Sequence, residues 1–192
     1  MHKIILASAS PRRRELLEKL GIPFTVEVSN YEEDNNLRLK PLELAKALSM
    51  GKAEMVAERH KGEDAIIIGA DTFVVLNNKI LGKPHTSKRA KEMIKEMSGK
   101  AHTVITGFTL IDAKSGKKVS KAMESKVYFR KLTNKEIDVY VRTGESLDKA
   151  GAYAIQEAGS VLIEKIEGDY TNIVGLPLPS LVEELKKFGI NL

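Results

Sequence analysis

The stretch that decides the fold reads Lys3-Ile-Ile-Leu-Ala-Ser-Ala-Ser-Pro-Arg-Arg-Arg-Glu-Leu-Leu-Glu-Lys-Leu-Gly21. Its first part, Ile4 to Ala7, is a short apolar run, which predicts a buried strand. Ser10 and Pro11 suit the N-cap and the first position of a helix. Gly21 is a typical residue at a helix end. The stretch therefore predicts a strand, a tight turn and then a helix.

Three consecutive arginines, Arg12, Arg13 and Arg14, occupy the first turn of this helix. The N-terminal end of a helix dipole is positive, so each cation there costs roughly 0.3–1 kcal/mol. The free N–H groups of that turn form an anion site, and guanidinium groups match phosphate oxygens. The turn is therefore either a phosphate site or a solvated basic turn. Consecutive residues lie about 100° apart on a helix, so the three arginines cannot all face one ligand.

Length and composition limit the class of protein. At 192 residues and 42% hydrophobic content, the chain can bury a sizeable core. No apolar run approaches the roughly 18 residues of a membrane span, and the segment before the first strand does not resemble a secretory signal. With no cysteine, disulfides, thiol catalysis and Cys-based zinc are excluded. We expect a cytoplasmic protein with a single domain over 1–192.

The net charge of +5 suits an anionic partner. The basic residues are spread along the chain, which makes nucleic acid unlikely and favours a phosphorylated small molecule. An acidic group, Glu32, Glu33 and Asp34, lies in a polar segment that predicts a loop. This group is either solvated surface charge or a supply of carboxylates for a divalent cation, which prefers oxygen ligands.

Two further positions draw attention in the first half of the chain. The apolar run from Ala65 to Gly69 predicts a strand buried on both faces, and Asp71 follows inside the same apolar segment. An unpaired charge there is costly, so Asp71 must be hydrogen-bonded, paired or metal-bound. It is therefore either an active-site residue or a structural polar group. Lys83, in a Gly-Lys-Pro turn, is placed to reach the same cavity.

The order of predicted elements indicates the fold class. A helix is predicted over 41–60, and Lys52 on it would ordinarily face solvent. Strands alternate with helices in the first half, and hairpins dominate the middle, with an Asn77-Asn78 turn signal. We expect an α/β fold with a mixed twisted sheet, flanking helices and two lobes around a central cleft.

The usual nucleotide motifs are absent from the chain. It has no Gly-x-x-x-x-Gly-Lys-Ser/Thr and no Gly-x-Gly-x-x-Gly, which excludes a P-loop and a Rossmann signature. Arginines at a helix start, a carboxylate inside a strand and scattered lysines still indicate phosphate chemistry. Carboxylates with a divalent metal can activate water against a phosphoanhydride.

Six short motifs follow one another between residue 4 and about residue 178. They are Ser8-Ala-Ser-Pro-Arg-Arg13, Gly69-Ala-Asp-Thr72, Gly82-Lys-Pro84, Ser98-Gly with His102-x-Val-x-Thr-Gly107, Asp148-Lys-Ala-Gly-Ala-Tyr-x-Ile-Gln156 and Gly175-Leu-Pro177. Each motif is weak alone, but six in order are specific. Together they resemble the Maf family, the nucleotide pyrophosphatases associated with septum formation.

The resemblance implies a fold like that of the inosine triphosphate pyrophosphatases, the Maf/Ham1-like fold. It also implies a cytoplasmic homodimer that cleaves a nucleoside triphosphate to the monophosphate and pyrophosphate with Mg²⁺ or Mn²⁺. By the same resemblance Asp71 is the general base and, with Glu33, a metal ligand. The phosphate-binding residues that it implies are Ser8, Arg13, Lys52 and Lys83.

The resemblance also bears on the choice of substrate. In this family three positions track specificity, and here they carry Arg12, Thr72 and Gln156. This set resembles the branch that acts on dTTP and UTP rather than the 7-methyl-GTP branch. Gln156 can donate and accept hydrogen bonds, as a uracil or thymine edge requires. The alternative substrates are 7-methyl-GTP, CTP and modified pyrimidine triphosphates.

Two questions stay open at the level of sequence. Many members of the family carry aspartate where this chain has Asn30, so either Glu32 or Glu33 is the metal ligand. The alternative hypothesis is a non-enzymatic function, in which the protein is a basic regulator of cell division that binds nucleotide or nucleic acid without catalysis. Asp71 together with Glu33 favours the enzyme, because a binder has no need of carboxylates among its cations.

Overall fold

A computed structural model describes residues 2–31 and 38–191 of the chain. Its strands are β1 (Lys3–Leu6), β2 (Thr25–Val26), β3 (Ala65–Leu76), β4 (Lys79–Leu81), β5 (Ala101–Asp112), β6 (Lys118–Phe129) and β7 (Ile163–Glu167). Its α-helices are α1 (Pro11–Glu18), α2 (Pro41–Ala57), α3 (Ser87–Met97), α4 (Asn134–Arg142), α5 (Tyr170–Val174) and α6 (Leu178–Lys187).

The seven strands form one mixed sheet. Its order is β2-β1-β3-β5-β6-β7, with β4 paired to β3 outside this path. Strand β1 runs parallel to both β2 and β3, whereas β3 with β4 and β6 with β7 are antiparallel. The predicted α/β class with a mixed sheet and flanking helices is confirmed. The central cleft stays a prediction.

The chain divides into two compact units, and the single domain over 1–192 also stays a prediction. Unit 1 comprises Met1–Asp71, Thr106–Met123 and Gly175–Leu192, and unit 2 comprises Thr72–Ile105 and Glu124–Val174. Part of the unit 1 core lies between α2 and the strands, where its members are Ile5, Ala7, Ala53, Val56, Ala65, Ile67 and Ile111. The core of unit 2 is a larger cluster that contains Val74, Met93, Ile94, Met97, Phe129, Tyr140 and Tyr153.

Two glycines let α2 lie unusually close to the strands of unit 1. A Cβ on Gly69 of β3 would overlap the Ser49 carbonyl oxygen and lie 2.8 Å from the Ala53 Cβ. A Cβ on Gly107 of β5 would overlap the Ala45 carbonyl group. Any side chain at either position would push the helix away, so glycine in the two strands fixes the separation of helix and sheet.

In unit 2, buried aromatic rings surround one histidine. The His102 ring makes edge-to-face contacts with Phe129 and Tyr153, whose centroids lie 4.9 and 5.4 Å away. Its Nε2 is 2.7 Å from the Tyr153 hydroxyl. Burial lowers the pKa of His102 to about 4, because the low-dielectric core disfavours the charged ring. His102 is therefore a neutral core residue.

Several element boundaries differ from those that the sequence predicts. The segment 22–28 has an alternating pattern that predicts a strand, but the strand there is only two residues long, because Pro23 has no N–H for a ladder and the alternating valines are not buried. Val26 and Val28 are 45% and 48% exposed. Helix α1 ends at Glu18, before Gly21, and Ser10 has extended N-cap geometry without a side-chain cap. Within the described residues, no helix is long and apolar enough to cross a membrane.

Candidate functional site

An ion pair between Lys52 and Asp71 lies at the centre of the candidate site in unit 1. Lys52 Nζ donates a hydrogen bond to Asp71 Oδ1. The two side chains are only 15% and 11% exposed. A lysine that would ordinarily face solvent on α2 thus turns toward the one carboxylate inside β3. The attraction between the two charges offsets the cost of their desolvation only if they stay in close contact, since a lone buried charge is costly.

The close approach of α2 at Gly69 explains why this pair forms. Side chains two residues apart on a strand share a face, so Gly69 and Asp71 both face α2. Because Gly69 has no side chain, the helix backbone at Ser49 and Ala53 can contact the strand directly. Lys52 lies next to Ala53 on that turn, so its ammonium group reaches the Asp71 carboxylate.

Arg13 is held by main-chain carbonyl groups and by Ser8. Its Nε donates to the Gly175 carbonyl oxygen at 2.8 Å, and Nη1 donates to the Ala70 carbonyl oxygen at 2.9 Å. Nη1 also donates to Ser8 Oγ at 3.1 Å. One guanidinium therefore ties the turn after β1 to the residue before Asp71 and to the Gly175 turn.

The three arginines of α1 have different surroundings. Arg14 pairs with Glu18 at the surface, where Nε and Oε1 are 2.9 Å apart. Arg12 is partly exposed, and among residues 2–31 and 38–191 no acidic side chain forms an ion pair with it. Ser8 is 8% exposed, and its Oγ also accepts a hydrogen bond from the Ser10 N–H at 3.3 Å.

The remaining predicted site residues belong to unit 2. Thr72 shares a face of β3 with Val74, whose side chain contacts Gly151 closely enough to leave no room for a Cβ. Lys83 is exposed, and the Gly82 carbonyl before it accepts a hydrogen bond from the Gly151 N–H at 3.1 Å. Gln156 is exposed in a loop that follows Tyr153. The Lys83 turn and the segment leading to Gln156 are therefore joined at Gly151.

Glu32 and Glu33, the candidate metal ligands, lie outside the described residues. Within the described ranges, no group of three or more His, Cys, Asp or Glu side chains is placed to hold a metal. Asp71 fits a hard divalent cation by its chemistry, since its carboxylate oxygens are the ligands that Mg²⁺ prefers.

Sequence reasoning missed Glu145, Tyr140 and Gly159. These residues surround the base of the Gln156 loop, with the Glu145 carboxylate bonded to the N–H groups of Ala158 and Gly159. The one signal in the sequence was the pair of glycines, Gly151 and Gly159, on either side of Gln156. A carboxylate that binds main-chain groups over ten residues away leaves no periodic pattern.

Comparison with known proteins identifies close relatives over the whole chain. The model of the family described as Maf-like protein matches residues 3–188. A dTTP/UTP pyrophosphatase of Thermoanaerobacter sp. (strain X514) is 51% identical over 191 residues, which cover 99% of each chain. The dTTP/UTP pyrophosphatase of Alkaliphilus oremlandii is 50% identical over 193 residues, which cover 100% of each chain.

A third relative agrees with these two. The dTTP/UTP pyrophosphatase of Bacillus cytotoxicus is 48% identical over 188 residues, which cover 98% of this chain and 96% of the relative. The family match runs from β1 into the residue after α6, so every described element of the candidate site lies inside it. The resemblance expected from six short motifs is thereby confirmed, and the chain belongs to the Maf family.

Proposed function

We propose that this protein hydrolyses the α–β phosphoanhydride of nucleoside triphosphates, with dTTP and UTP as its substrates. The products are the nucleoside monophosphate and pyrophosphate. Relatives about half identical over their full lengths carry the name dTTP/UTP pyrophosphatase. The observation that carries the proposal is the Lys52–Asp71 pair, a nearly buried carboxylate that is oriented by a cation.

Asp71 is the proposed general base of this reaction. Its carboxylate takes a proton from the water that attacks the α-phosphorus, which makes the water a stronger nucleophile. Lys52 holds one carboxylate oxygen in place, and the other oxygen is the one proposed to receive the proton. The water oxygen bonds to phosphorus as the bond to the bridging oxygen breaks, and pyrophosphate leaves with that oxygen.

Cations around the triphosphate are the second proposed component. Arg12, the N-terminal turn of α1 and the exposed Lys83 bind phosphate oxygens and stabilise charge on the leaving pyrophosphate. Nε and Nη1 of Arg13 donate to Ser8 and to two carbonyl groups, so we propose that Arg13 shapes the phosphate-binding turn. Lys52 contributes positive charge while it orients Asp71.

We propose Mg²⁺ or Mn²⁺ as the cofactor, with Asp71 and Glu33 as its carboxylate ligands and Glu32 as the alternative to Glu33. When bound, such an ion would neutralise phosphate charge and lower the pKa of a coordinated water. The support is the donor chemistry of Asp71 and the family membership of the chain. A test is the dependence of turnover on added Mg²⁺ or Mn²⁺ after treatment with a chelator.

Gln156, Arg12 and Thr72 are the proposed determinants of the base. A glutamine amide can donate to and accept from the edge of uracil or thymine. A homodimer in the cytoplasm is also proposed, and sedimentation of the purified protein tests the oligomeric state. The alternatives of a non-catalytic regulator and of 7-methyl-GTP, CTP or modified pyrimidine triphosphates as substrates are outcomes of the experiment below.

The test is release of pyrophosphate from a panel of canonical and modified triphosphates by wild type, Asp71→Asn and Asp64→Asn. Asp64→Asn is the matched control, because Asp64 lies just before β3 and pairs with His2 at the surface. We expect turnover of UTP and dTTP, a loss of about 10²–10⁴-fold in Asp71→Asn, and wild-type rates in the control. Turnover of 7-methyl-GTP alone would show that 7-methyl-GTP is the substrate in place of UTP and dTTP. Absence of turnover with every triphosphate would favour the non-catalytic regulator.

A further inference from the structure

We propose that Glu145 and Tyr140 are positioning residues for base discrimination, because they clamp the loop that carries Gln156. This inference rests on the proposed function, and it adds residues outside the set that contacts substrate. The clamp consists of Tyr140, Glu145, Ala154, Ala158 and Gly159, all within unit 2.

The Glu145 carboxylate binds the C-terminal side of the loop. Its Oε2 accepts a hydrogen bond from the Ala158 N–H at 3.0 Å, and Oε1 accepts one from the Gly159 N–H at 3.3 Å. Oε1 also accepts a hydrogen bond from the Tyr140 hydroxyl at 3.1 Å. Bonds from N–H groups to a charged acceptor are stronger than those between neutral groups, so one carboxylate fixes two successive peptides.

Tyr140 binds this carboxylate next to the place where the two ends of the loop meet. Tyr140 is 3% exposed, and a Cβ on Gly159 would lie 3.1 Å both from its hydroxyl oxygen and from the Ala154 nitrogen. Burial, followed by the charge of Glu145, raises the pKa of Tyr140, so the hydroxyl stays protonated and can donate. Tyr140 therefore fixes the Glu145 carboxylate at the base of the loop, beside Ala154 and Gly159.

Gly159 lets the two ends of the loop touch. A Cβ there would overlap the Ala154 carbonyl oxygen and lie 3.1 Å from the Tyr140 hydroxyl. Residues 154 and 159 are thus adjacent in space, and the four residues between them form a tight loop with Gln156 near its middle. A loop this short, with its ends in contact and its C-terminal side bonded to Glu145, has few conformations available to it.

The chain before the loop is anchored separately in the core of unit 2. The Tyr153 hydroxyl lies 2.7 Å from His102 Nε2, and the Gly151 N–H donates to the Gly82 carbonyl oxygen at 3.1 Å. Ala152 and Gly151 both have positive φ, 64° and 68°, so the backbone turns sharply just before Tyr153. With its entrance fixed by Tyr153, the direction of Gln156 depends on the Glu145 clamp.

This arrangement predicts what the clamp does. A polar group selects between bases that differ by one carbonyl or amino group only when its position is fixed. The exposed Gln156 amide has no such fixation of its own, because its side chain extends from a loop. Glu145 binds main-chain groups and not substrate, so it acts on discrimination through Gln156.

The experiment compares kcat and KM for UTP and CTP, whose bases differ at one carbonyl-or-amino position. The variants are Glu145→Ala, Glu145→Gln and the control Glu157→Gln, which removes a carboxylate from the same loop but outside the clamp. Glu145→Ala is expected to reduce the UTP-over-CTP ratio of kcat/KM about tenfold, mainly through KM. Glu145→Gln should lose less, since its amide oxygen still accepts one N–H bond. Glu157→Gln should keep the wild-type ratio.

A double-mutant cycle with Gln156→Ala tests whether the effect passes through Gln156. We expect Glu145→Ala to leave the ratio unchanged once Gln156 is removed. Independent effects in the cycle, or a wild-type ratio in Glu145→Ala, would overturn the clamp while leaving the proposed function intact. Wild-type protein that releases no pyrophosphate would contradict the proposed function itself and the clamp with it. If Glu145→Ala does not fold, Tyr140→Phe removes one hydroxyl from the clamp and is judged by the same ratio.

Discussion

The Lys52–Asp71 pair in unit 1 and the Gln156 loop in unit 2 are built from different interactions. The pair joins two charged side chains on a helix and a strand, and both side chains are at most 15% exposed. The Gln156 loop has an exposed amide side chain, and what fixes it is a set of hydrogen bonds to its main chain. In unit 1 the charged side chains of Lys52 and Asp71 hold each other in place. In unit 2 hydrogen bonds hold the backbone of the loop, and the Gln156 side chain extends from it into solvent.

The two constructions suit different roles in the proposed reaction. A buried ion pair on regular elements keeps a carboxylate in one place, which suits a proton transfer that is common to every nucleotide. A short clamped loop can change its tip without disturbing strands or helices, which suits a choice between bases. Substitutions in the pair should therefore change the rate for all substrates, and substitutions at the loop should change their ratio.

The largest expected effect comes from breaking the ion pair with Lys52→Met. Methionine keeps much of the side-chain volume but leaves Asp71 nearly buried without this cation, a loss that typically costs about 3–5 kcal/mol. We expect kcat to fall by about 10²-fold or more for UTP and dTTP alike. The matched control is Lys46→Met on the same helix, since Lys46 pairs with Glu43 at the surface and its loss should change neither kcat nor Tm.

A smaller effect is expected from Arg13→Gln, which removes the link between three segments of unit 1. Bonds from a charged donor to carbonyl groups are worth about 2–3 kcal/mol, or roughly 4–12 °C in Tm for a chain of this length. The control is Arg14→Gln, because among the described residues Arg14 pairs with Glu18 alone, at the surface. A rise in KM with an unchanged Tm in Arg13→Gln would show that this arginine binds phosphate instead of holding the turn.

The smallest expected effect concerns the pH dependence of stability in unit 1. His60 Nε2 lies 2.7 Å from Glu27 and Nδ1 lies 2.9 Å from Glu63, and these hydrogen bonds raise the pKa of His60. The stabilisation is therefore complete below the unfolded pKa of about 6.5, and it is lost as pH rises through the folded value. Arg59 also pairs with Glu27, so the carboxylate keeps a partner after His60 loses its proton.

Thermal unfolding of wild type and His60→Asn between pH 5 and 8 checks this sign. Solvent partly screens His60 from its two carboxylate partners. We therefore expect the free energy of unfolding of wild type to exceed that of the variant by at most about 1 kcal/mol, or roughly 2–4 °C in Tm, at pH 5–6. The difference should shrink toward pH 8. A difference that grows with pH would contradict the assignment. Burial of neutral His102 in unit 2 has the opposite pH dependence, because it lowers the stability of the protein as pH falls toward the low pKa of His102. Wild type and His60→Asn both contain His102, so this contribution cancels in their difference.

Local signals were sufficient for several element starts and for the expectation that Asp71 has a partner. Thr133 and Glu136 have the spacing of a capping box, which predicts the start of α4, and the structure contains that box. Thr86 suits an N-cap, and it caps α3 by accepting a hydrogen bond from the Arg89 N–H. The apolar run before Asp71 identified a strand in which a carboxylate needs a partner. These features depend on neighbours within a few residues, so the sequence alone can predict them.

The partners themselves could not be predicted, because they are distant in sequence. Arg13 donates to the Gly175 carbonyl across 162 positions, and no pattern of residue types specifies a main-chain acceptor. The role of Gly69 becomes visible only when α2 is placed against β3. The clamp at Glu145 depends in the same way on where Tyr140 and Gly159 meet. A sequence motif lists residue types, so it cannot identify a side chain whose partner is a main-chain group.

In the proposed function, the Asp71 carboxylate of unit 1 performs a step common to all bases, while the Gln156 loop of unit 2 selects among them. The most direct measurement is kcat/KM for UTP and CTP in Asp71→Asn and in Gln156→Ala, side by side. If the roles are divided in this way, Asp71→Asn lowers both values by the same factor, and Gln156→Ala changes their ratio with a smaller loss of kcat. A changed ratio in Asp71→Asn, or an equal loss for both substrates in Gln156→Ala, would contradict this division of roles.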